Sequence, residues 1–224
     1  MDNFLIISKK KIDKDNFDQK NNFYFSKKIN KKVIKKINPK IIFFIYWSTI
    51  VKEDIFDKYT CIQFHSSDLP KFKGGSPIQN QIIKGINQTK ISAFKMNSNL
   101  DSGNICMKRK VSLKGSAQEI YKRIEKIALK MIFQISKMKK IKFKKPRGKS
   151  SYFVRRKPTQ SNLKQIKFFN LSKIYNFIRM LDAKDYPKAF LVIGKNKITF
   201  TDAKISKKFI SGKYKIEKNI NENR

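Results

Sequence analysis

Two polar segments of the chain carry the side chains best suited to catalysis. The only histidine, His65, ends the run CIQFH, in which the carboxamide of Gln63 lies two positions earlier, and Asp101 lies further on in LDSGN. Both segments follow apolar, strand-like runs, so an imidazole, a carboxamide and a carboxylate can converge at one edge of a sheet. Because imidazole and carboxyl groups commonly transfer protons in enzymes, the pattern predicts a catalytic constellation.

The first sixty residues predict a shortened α/β unit that would support this constellation. Apolar residues near 4–7 and at 22–26 predict two strands, separated by a polar stretch at 8–21. The segment KINKKVIKKINP then predicts a helix that ends at Asn38-Pro39. Four apolar residues of this segment are predicted to share one face: Ile29, Val33, Ile34 and Ile37.

The run IIFFIYW at 41–47 is apolar at every position, which is typical of a parallel strand covered on both faces. It is far too short to span a bilayer. The next strand, CIQF, delivers His65 at its C-terminal end, where ligand clefts open in α/β sheets. The first part of the chain therefore predicts a mostly parallel sheet with His65 at the edge where a site would form.

The residues after His65 predict a helix followed by two strands. Ser76 is predicted to cap a helix that begins at Pro77 and stops at Gly85. The pattern then changes to a period of two in ISAFKM and NICMKRKVSL, so Asp101 is expected in the connection between two strands. Three isoleucines of the helix are predicted to face inward: Ile78, Ile82 and Ile83.

A long amphipathic helix ends the predicted catalytic domain, 1–136. Ser116 and Glu119 predict a capping box at the beginning of this helix. The basic segment 137–151, which contains Pro and Gly, is predicted to be a linker. The core face of the helix is predicted to comprise Ile120, Ile124, Ile127, Ala128, Met131, Ile132 and Ile135.

Residues 152–224 predict a small C-terminal region of mixed α and β structure. The segment LSKIYNFIRML predicts a helix. The segments KAFLVIG and NKITFTD predict two strands that form a hairpin around Gly194.

The composition limits the alternatives. The formal charge of +37 favours a partner with phosphate groups, because clustered Lys and Arg displace the counterions of nucleic acids. Only seven of the 53 basic residues are Arg, and no RNA-binding signature is present, so much of this charge is interpreted as solvated surface. Cys61 and Cys106 stand alone, which indicates buried free thiols and predicts no metal site. We expect a cytoplasmic protein without a secretory signal or membrane segment, while its oligomeric state stays open.

The residues from His65 to Asp101, HSSDLPKFKGGSPIQNQIIKGINQTKISAFKMNSNLDSGN, resemble the folate-dependent formyltransferase family. The resemblance is strongest over 40–136 and continues weakly through YFVRRKP and IYNFIRMLDAKDYPKAF. It implies an α/β, Rossmann-like formyltransferase fold with a mostly parallel sheet, a shortened N-terminal βαβ unit and a small C-terminal α+β appendage. The matching loop contains Leu69-Pro70, Gly74-Gly75 and Pro77-Ile78-Gln79.

The resemblance also implies the catalytic roles. Formyl transfer to an amine passes through a tetrahedral intermediate, which needs donors for an oxyanion and a route for a proton. In the family an Asn amide and a His stabilise the oxyanion, and an Asp orients the His and moves the proton through water. His65 and Asp101 match the His and Asp, whereas Gln63 replaces the Asn with a longer amide. We expect the pocket to be rebuilt around this side chain.

The donor implied by the resemblance is 10-formyltetrahydrofolate. Its pocket would be lined partly by Ile50 and Val51, after the YWS strand, and partly by the backbone before Asp101. Asp68 stands where tRNA-formylating members usually have an apolar residue, and it could contact a cationic amine acceptor. The folate-binding residues before Asp101 would be Asn97, Ser98, Asn99 and Leu100.

Three functions compete. The favoured one is one-carbon transfer to a nucleotide-linked amino sugar, which agrees with Asp68 and with the short C-terminal region. A methionyl-tRNA formyltransferase agrees with the charge and with the Lys-rich segment 137–150. A non-enzymatic, basic RNA-binding protein on a degenerate formyltransferase scaffold is the third, because Gln63 departs from the family. A formyl-folate hydrolase, with water as the acceptor, is a chemical variant of the first two.

Overall fold

The computed structural model describes residues 2–12, 22–166, 170–184 and 186–219. Contacts within the chain divide it into two compact units. The first unit contains residues 1–75, 89–111 and 123–153, and the second contains residues 76–88, 112–122 and 154–224.

A six-stranded sheet forms the first unit. In spatial order its strands are β2 (Asn22–Ser26), β1 (Asn3–Ser8), β3 (Ile41–Ile45), β4 (Thr60–His65), β6 (Gln88–Lys95) and β7 (Ile105–Ser112). The first four pair in parallel, and β6 runs antiparallel to β4. A separate parallel pair consists of β5 (Lys73–Gly74) and β8 (Tyr152–Phe153). The mostly parallel sheet confirms the predicted α/β, Rossmann-like fold class.

The central strand β3 is buried at all five positions, as its apolar sequence predicts. It is shorter than the predicted strand because Tyr46 has a φ of 53°, which ends the extended conformation. One core cluster of the unit combines residues of β1, β3 and β4 with residues of two helices and of the loop after β3: Leu5, Ile7, Ile34, Ile42, Phe44, Val51, Ile55 and Cys61.

Helix α1 (Lys31–Ile37) is capped at both ends by asparagine. The side chain of Asn30 accepts a hydrogen bond from the N–H of Val33, and Asn38 ends the helix in a left-handed conformation. The predicted apolar face is right for Ile34, which is buried, but wrong for Val33, whose exposure is 40%. Val33 lies roughly 100° around the helix from Ile34, and the narrow buried side of this two-turn helix does not include it.

The predicted polar stretch at 8–21 is described only in part. Ser8 belongs to β1, and residues 13–21 lie outside the described residues. A single-turn helix, α2 (Glu53–Phe56), precedes β4.

The second unit contains helices and a three-stranded antiparallel sheet. Its helices are α3 (Pro77–Ile83), the beginning of α4 (Ala117–Ser136) and α5 (Leu171–Leu181), with 3₁₀ turns at Pro158–Ser161 and Leu163–Gln165. The strands are β9 (Ala189–Ile193), β10 (Asn196–Ile205) and β11 (Ile210–Lys218). The predicted hairpin around Gly194 is confirmed, and β11 was not predicted although ISGKYKIEK alternates with a period of two.

Helix α3 begins at Pro77, as predicted, but Ser76 does not cap it. Ser76 has a φ of 49°, and its side chain makes no bond to the helix N-terminus. Its hydroxyl oxygen instead accepts hydrogen bonds from the N–H of Arg156 at 3.2 Å and from the hydroxyl of Tyr186 at 3.3 Å. The helix ends before Gly85, whose φ of 76° agrees with the predicted stop. Of the predicted inward residues, Ile78 and Ile82 are buried and Ile83 is half-buried.

Helix α4 begins with the predicted capping box. The N–H of Ser116 donates to Oε2 of Glu119 at 2.7 Å, and the N–H of Glu119 donates to Oγ of Ser116 at 3.3 Å. Its predicted core face is buried except at Ile127, which is half-buried. The buried positions are Ile120, Ile124, Ala128, Met131, Ile132 and Ile135.

Candidate active site

His65 and Asp101 meet inside the first unit. His65 is the last residue of β4, and Asp101 lies in the connection between β6 and β7, as predicted. Nδ1 of His65 is 3.5 Å from Oδ2 of Asp101, and the two side chains are 7% and 3% exposed. Because both groups are shielded from water, charge interactions between them are stronger than they would be at the surface.

The other ring nitrogen of His65 is held by the main chain. Nε2 lies 2.7 Å from the carbonyl oxygen of Phe72. A carbonyl oxygen can only accept a hydrogen bond, so Nε2 carries a proton and donates it. Nδ1 is therefore the nitrogen that faces Asp101, and it is the atom at which His65 can take up or release a proton.

A main-chain N–H orients Asp101. The N–H of Gly74 donates to Oδ2 of Asp101 at 2.8 Å. Asp101 has a φ of 47°, a left-handed conformation that aspartate tolerates in turns. The same carboxylate oxygen thus faces Gly74 and His65, and the loop that contains Phe72 and Gly74 contacts both members of the pair.

Asp101 reaches His65 by a route that differs from the predicted convergence of two strand ends. Because β6 is antiparallel to β4, Lys95 lies opposite Ile62 and Ser92 lies opposite His65. The end of β6 is thus three residues, or roughly 10 Å, away from His65 along β4. The connection after β6 folds back toward His65, and at Gly103 it approaches β6 so closely that a Cβ would overlap the carbonyl oxygen of Lys95.

Gln63 lies two residues before His65 on β4, so both side chains project from the same face of the strand. Its side chain is half-buried, and Nε2 donates to the carbonyl oxygen of Trp47 at 3.4 Å. A carboxamide has two N–H donors. Gln63 can therefore keep this bond and donate a second one to a ligand beside His65.

Asp68 follows His65 in the loop and forms ion pairs with two lysines. Nζ of Lys108 is 2.5 Å from Oδ1, and Nζ of Lys90 is 2.9 Å from Oδ2. Partial burial acts to raise the pKa of the Asp68 carboxyl, but the hydrogen bonds from Lys108 and Lys90 together outweigh it and lower this pKa below its ordinary value. A cationic acceptor would have to compete with these lysines for Asp68.

The predicted folate-binding residues have different environments. Ile50 is 90% exposed, whereas Val51 is buried in the core cluster. Met96, directly before the second predicted segment, packs against the same cluster. The role of both segments in folate binding stays a prediction. The second segment forms an exposed loop immediately before Asp101: Asn97, Ser98, Asn99 and Leu100.

The two cysteines are free thiols, and Cys61 is buried, as predicted, whereas Cys106 is half-buried. Burial raises the pKa of Cys61 to about 12 and that of Cys106 to about 11, so both stay protonated near neutral pH. Within the described ranges, no group of three or more His, Cys, Asp and Glu side chains is placed to hold a metal ion. In the same part of the chain, no helix has the length and apolar character needed to cross a bilayer.

The sequence did not reveal the residues that hold the loop beside His65. The carbonyl of Phe72 binds the imidazole, and residues 150–153 contact this loop from a distant part of the chain. The pair Gly74-Gly75 is the one signal in the sequence, because glycine allows a close approach of two backbones. Gly74 has a φ of 88°, and a Cβ there would overlap the carbonyl oxygen of Phe153.

These features define an α/β protein with a buried imidazole and carboxylate beside its mostly parallel sheet. The chain belongs to the formyl transferase family, whose family model matches residues 5–135. A second model, described as the C-terminal domain of methionyl-tRNA formyltransferase, matches residues 158–217. Members of the family use formyl-tetrahydrofolate as the formyl donor. The exact division into 1–136, 137–151 and 152–224 stays a prediction.

The chain is similar to several named proteins along much of its length. It shares 36% identity with the solved methionyl-tRNA formyltransferase from Clostridium thermocellum, with a TM-score of 0.88 and coverage of 98% of this chain and 100% of that chain. The bifunctional polymyxin resistance protein ArnA of Wigglesworthia glossinidia brevipalpis is 31% identical over 75% of this chain and 26% of the relative. The methionyl-tRNA formyltransferase of Rickettsia bellii is 32% identical over 42% of this chain and 32% of the relative. These matches span about a quarter to a third of the two curated relatives.

More distant solved structures share the fold. A likely sugar N-formyltransferase from Mycobacterium tuberculosis has 16% identity and a TM-score of 0.69, with coverage of 87% of this chain and 93% of that chain. HypX from Aquifex aeolicus, in complex with tetrahydrofolic acid, has 10% identity and a TM-score of 0.70, with coverage of 90% and 37%. At these identities the similarity concerns the fold alone.

Proposed function

We propose that the chain is an enzyme that transfers the formyl group of 10-formyltetrahydrofolate to an amine. The observation that carries this proposal is the buried contact between His65 and Asp101, with Gln63 on the same face of β4, in a chain of the formyl transferase family. All three residues lie within the predicted catalytic domain, 1–136.

The side chains present fit the requirements of formyl transfer. A bound folate would supply the formyl carbon for attack by the acceptor amine, with negative charge on the formyl oxygen. The bond from the formyl carbon to the folate nitrogen would then break, and this nitrogen would leave with the electron pair and take up a proton. The donors proposed for the charge on the formyl oxygen are an amide N–H of Gln63 and an N–H at Nδ1 of His65, which requires that both ring nitrogens carry a proton. Nε2 of His65 is not available for this role, since it donates to the carbonyl oxygen of Phe72.

Asp101 has two proposed roles. Its carboxylate keeps Nδ1 of His65 directed toward the reacting groups and stabilises positive charge on the ring while the oxyanion forms. Through a water molecule it also accepts the proton that the amine loses on attack. The hydrogen bond from the N–H of Gly74 holds the carboxylate in place for both roles.

The acceptor that we propose is the methionyl group on initiator tRNA. Similarity to the Clostridium thermocellum enzyme over nearly the whole chain supports this choice, as does the second family model at 158–217. The net charge of +37 agrees with a polyanionic substrate. A tRNA acceptor also agrees with the predicted location in the cytoplasm.

A nucleotide-linked amino sugar is the second candidate acceptor. Asp68 favours it, because a carboxylate in the loop after His65 could hold a cationic amino group. Two observations weaken it: Asp68 already pairs with Lys90 and Lys108, and the likely sugar N-formyltransferase is similar at the level of the fold alone.

One experiment separates these acceptors. The purified protein is incubated with 10-formyltetrahydrofolate and either methionyl initiator tRNA, methionyl elongator tRNA or nucleotide-linked amino sugars, and tetrahydrofolate release and acceptor mass are followed. We expect formylation of the initiator tRNA, and we expect His65→Ala to abolish most of it. Formylation of a sugar alone would contradict the tRNA proposal and establish the second candidate.

Two further outcomes would contradict the transferase proposal itself. Release of tetrahydrofolate and formate without any acceptor would identify a formyl-folate hydrolase. Absence of turnover, together with tRNA binding that is equal for initiator and elongator tRNA and steeply lost between about 50 and 200 mM salt, would favour a non-enzymatic RNA-binding protein.

A further inference from the structure

The loop from Pro70 to Gly75 contacts both members of the catalytic pair through its backbone. The carbonyl oxygen of Phe72 accepts the hydrogen bond from His65, and the N–H of Gly74 donates to Asp101. The direction of these two peptide groups therefore sets the direction of both side chains. Whatever holds the peptide groups of Phe72 and Gly74 in place also holds the catalytic geometry.

The segment Ser151 to Phe153 holds this loop through hydrogen bonds and a ring contact. Oγ of Ser151 accepts from the N–H of Phe72 at 2.9 Å, and the carbonyl oxygen of Ser151 accepts from the N–H of Lys73 at 2.8 Å. The carbonyl oxygen of Phe153 accepts from the N–H of Gly75 at 2.7 Å. The rings of Phe72 and Phe153 stack with centroids 5.1 Å apart and an angle of 10°.

One peptide group transmits the effect of Ser151 to the imidazole. The C=O of Phe72 and the N–H of Lys73 belong to the same planar peptide group. His65 binds its oxygen and the carbonyl of Ser151 binds its N–H, so the plane is held at both ends. The hydroxyl of Ser151 holds the preceding peptide group through the N–H of Phe72.

Phe72 needs this support because its backbone is strained. Its φ is 55°, in the left-handed region that bulky residues rarely occupy. Such a conformation is unfavourable by itself and persists when the surrounding contacts determine it. Without the hydroxyl of Ser151 the N–H of Phe72 would lose its acceptor, and the residue could relax and turn its carbonyl away from His65.

We propose that Ser151 and Phe153 are positioning residues for His65 and Asp101, an inference that rests on the proposed function for its effect on catalysis. Ser151 acts through the two peptide groups around Phe72, and Phe153 acts through its ring contact with Phe72 and its hydrogen bond to Gly75.

The single histidine makes this proposal measurable without any substrate. In the ¹⁵N-labelled full-length chain, the imidazole signals come from His65 alone. These signals report the proton on Nε2 and its exchange with water. The variants are Ser151→Ala, the conservative Ser151→Thr, and Ser150→Ala as the matched control, since the hydroxyl of Ser150 bonds to the carbonyl of Pro70 at 3.3 Å rather than to Phe72. Phe153→Leu is a second test that leaves Ser151 intact.

We expect Ser151→Ala and Phe153→Leu to accelerate exchange of the Nε2 proton at least ~10-fold and to lower kcat by about 10- to 100-fold, with a smaller change in KM, because a misplacement of ~1 Å can reduce turnover about 100-fold. Ser151→Thr and Ser150→Ala should resemble the wild type. Unchanged imidazole signals in folded Ser151→Ala or Phe153→Leu protein would overturn the positioning role. Altered signals in a protein whose wild type shows no formyl transfer would support positioning and contradict the proposed function instead.

Discussion

The N–H at Nε2 of His65 donates a hydrogen bond to the carbonyl oxygen of Phe72, with 2.7 Å between nitrogen and oxygen. The imidazole ring cannot flip by 180° without losing this hydrogen bond. Nδ1 is therefore kept on the side of Asp101, 3.5 Å from its carboxylate. One backbone group thus sets the orientation of the only histidine and keeps its Nε2 protonated. The effect of each neighbouring side chain on catalysis can therefore be measured with single substitutions.

Removal of either member of the pair should strongly reduce catalysis. We expect His65→Ala and Asp101→Ala each to lower kcat by at least ~100-fold, because proton-transfer and oxyanion-stabilising groups commonly contribute that much. Steady-state release of tetrahydrofolate measures the effect. Asp54→Asn is the control, since Asp54 is a half-exposed partner of Lys31 outside the site. Near-normal turnover of either alanine variant would remove that residue from the proposed mechanism.

We expect the amide group of Gln63 to contribute more to kcat than the length of its side chain does. We expect Gln63→Ala to lower kcat more than Gln63→Asn does, because only alanine removes the N–H donors from the face shared with His65. Neither change should greatly alter Tm, since the side chain is half-buried and its one described bond, to Trp47, is long at 3.4 Å. Comparison of the kinetics and melting curves of both variants tests this. Wild-type activity in Gln63→Ala would make the position structural.

The ion pairs of Asp68 should make a pH-dependent contribution to stability. The pKa of this carboxyl is lowered in the folded protein, so the contribution is fully present above its ordinary pKa of about 3.9 and is lost as the pH falls through the lower folded value. We expect Asp68→Asn to lower Tm by about 2 °C at pH 7, a small effect because solvent screens the pairs. The difference in Tm between wild type and Asp68→Asn should disappear in acid. A difference in Tm that grows below pH 4 would contradict a stabilising role for the ion pairs of Asp68.

Gly74 should tolerate a side chain less well than a glycine of similar conformation. Gly74 and Gly85 have φ values of 88° and 76°, but a Cβ at Gly85 would meet nothing within 4 Å, whereas at Gly74 it would overlap the carbonyl oxygen of Phe153. We expect Gly85→Ala to destabilise by about 1–2 kcal/mol, from the conformation alone, and Gly74→Ala to destabilise more. Denaturant unfolding measures the free energy of unfolding of both variants. An equal loss in the two variants would show that the backbone at Gly74 relaxes to remove the overlap.

The residue types and their order could be predicted because they depend on short stretches of sequence. The apolar run of β3, the capping box of Ser116 and Glu119 and the placement of His65 and Asp101 after strands all follow from local periodicity and local hydrogen bonding. The resemblance to formyltransferases used the same residues, and the family is confirmed by the match to residues 5–135.

Local patterns failed where a distant partner decided the outcome. The position of Ser76 before Pro77 predicts a helix cap, but its hydroxyl oxygen accepts hydrogen bonds from Arg156 and Tyr186 instead. The sequence around Asp68 indicates a carboxylate that is accessible to an acceptor, but its two oxygens form ion pairs with Lys90 and Lys108. In each case the competing partner lies far along the chain, so no spacing near the residue could indicate it.

The sequence by itself determined which side chains are available for chemistry, on which elements they lie and to which family the chain belongs. Only the tertiary structure decided which nitrogen of His65 faces Asp101, how the connection after β6 returns to β4, and that Ser151 supports a loop 79 residues earlier in the chain. The physical reason is that each of these contacts depends on a backbone group on at least one side, and nearly every residue type carries the same backbone groups. Such contacts leave almost no trace in residue type or spacing, whereas helices and strands impose a period on the apolar residues.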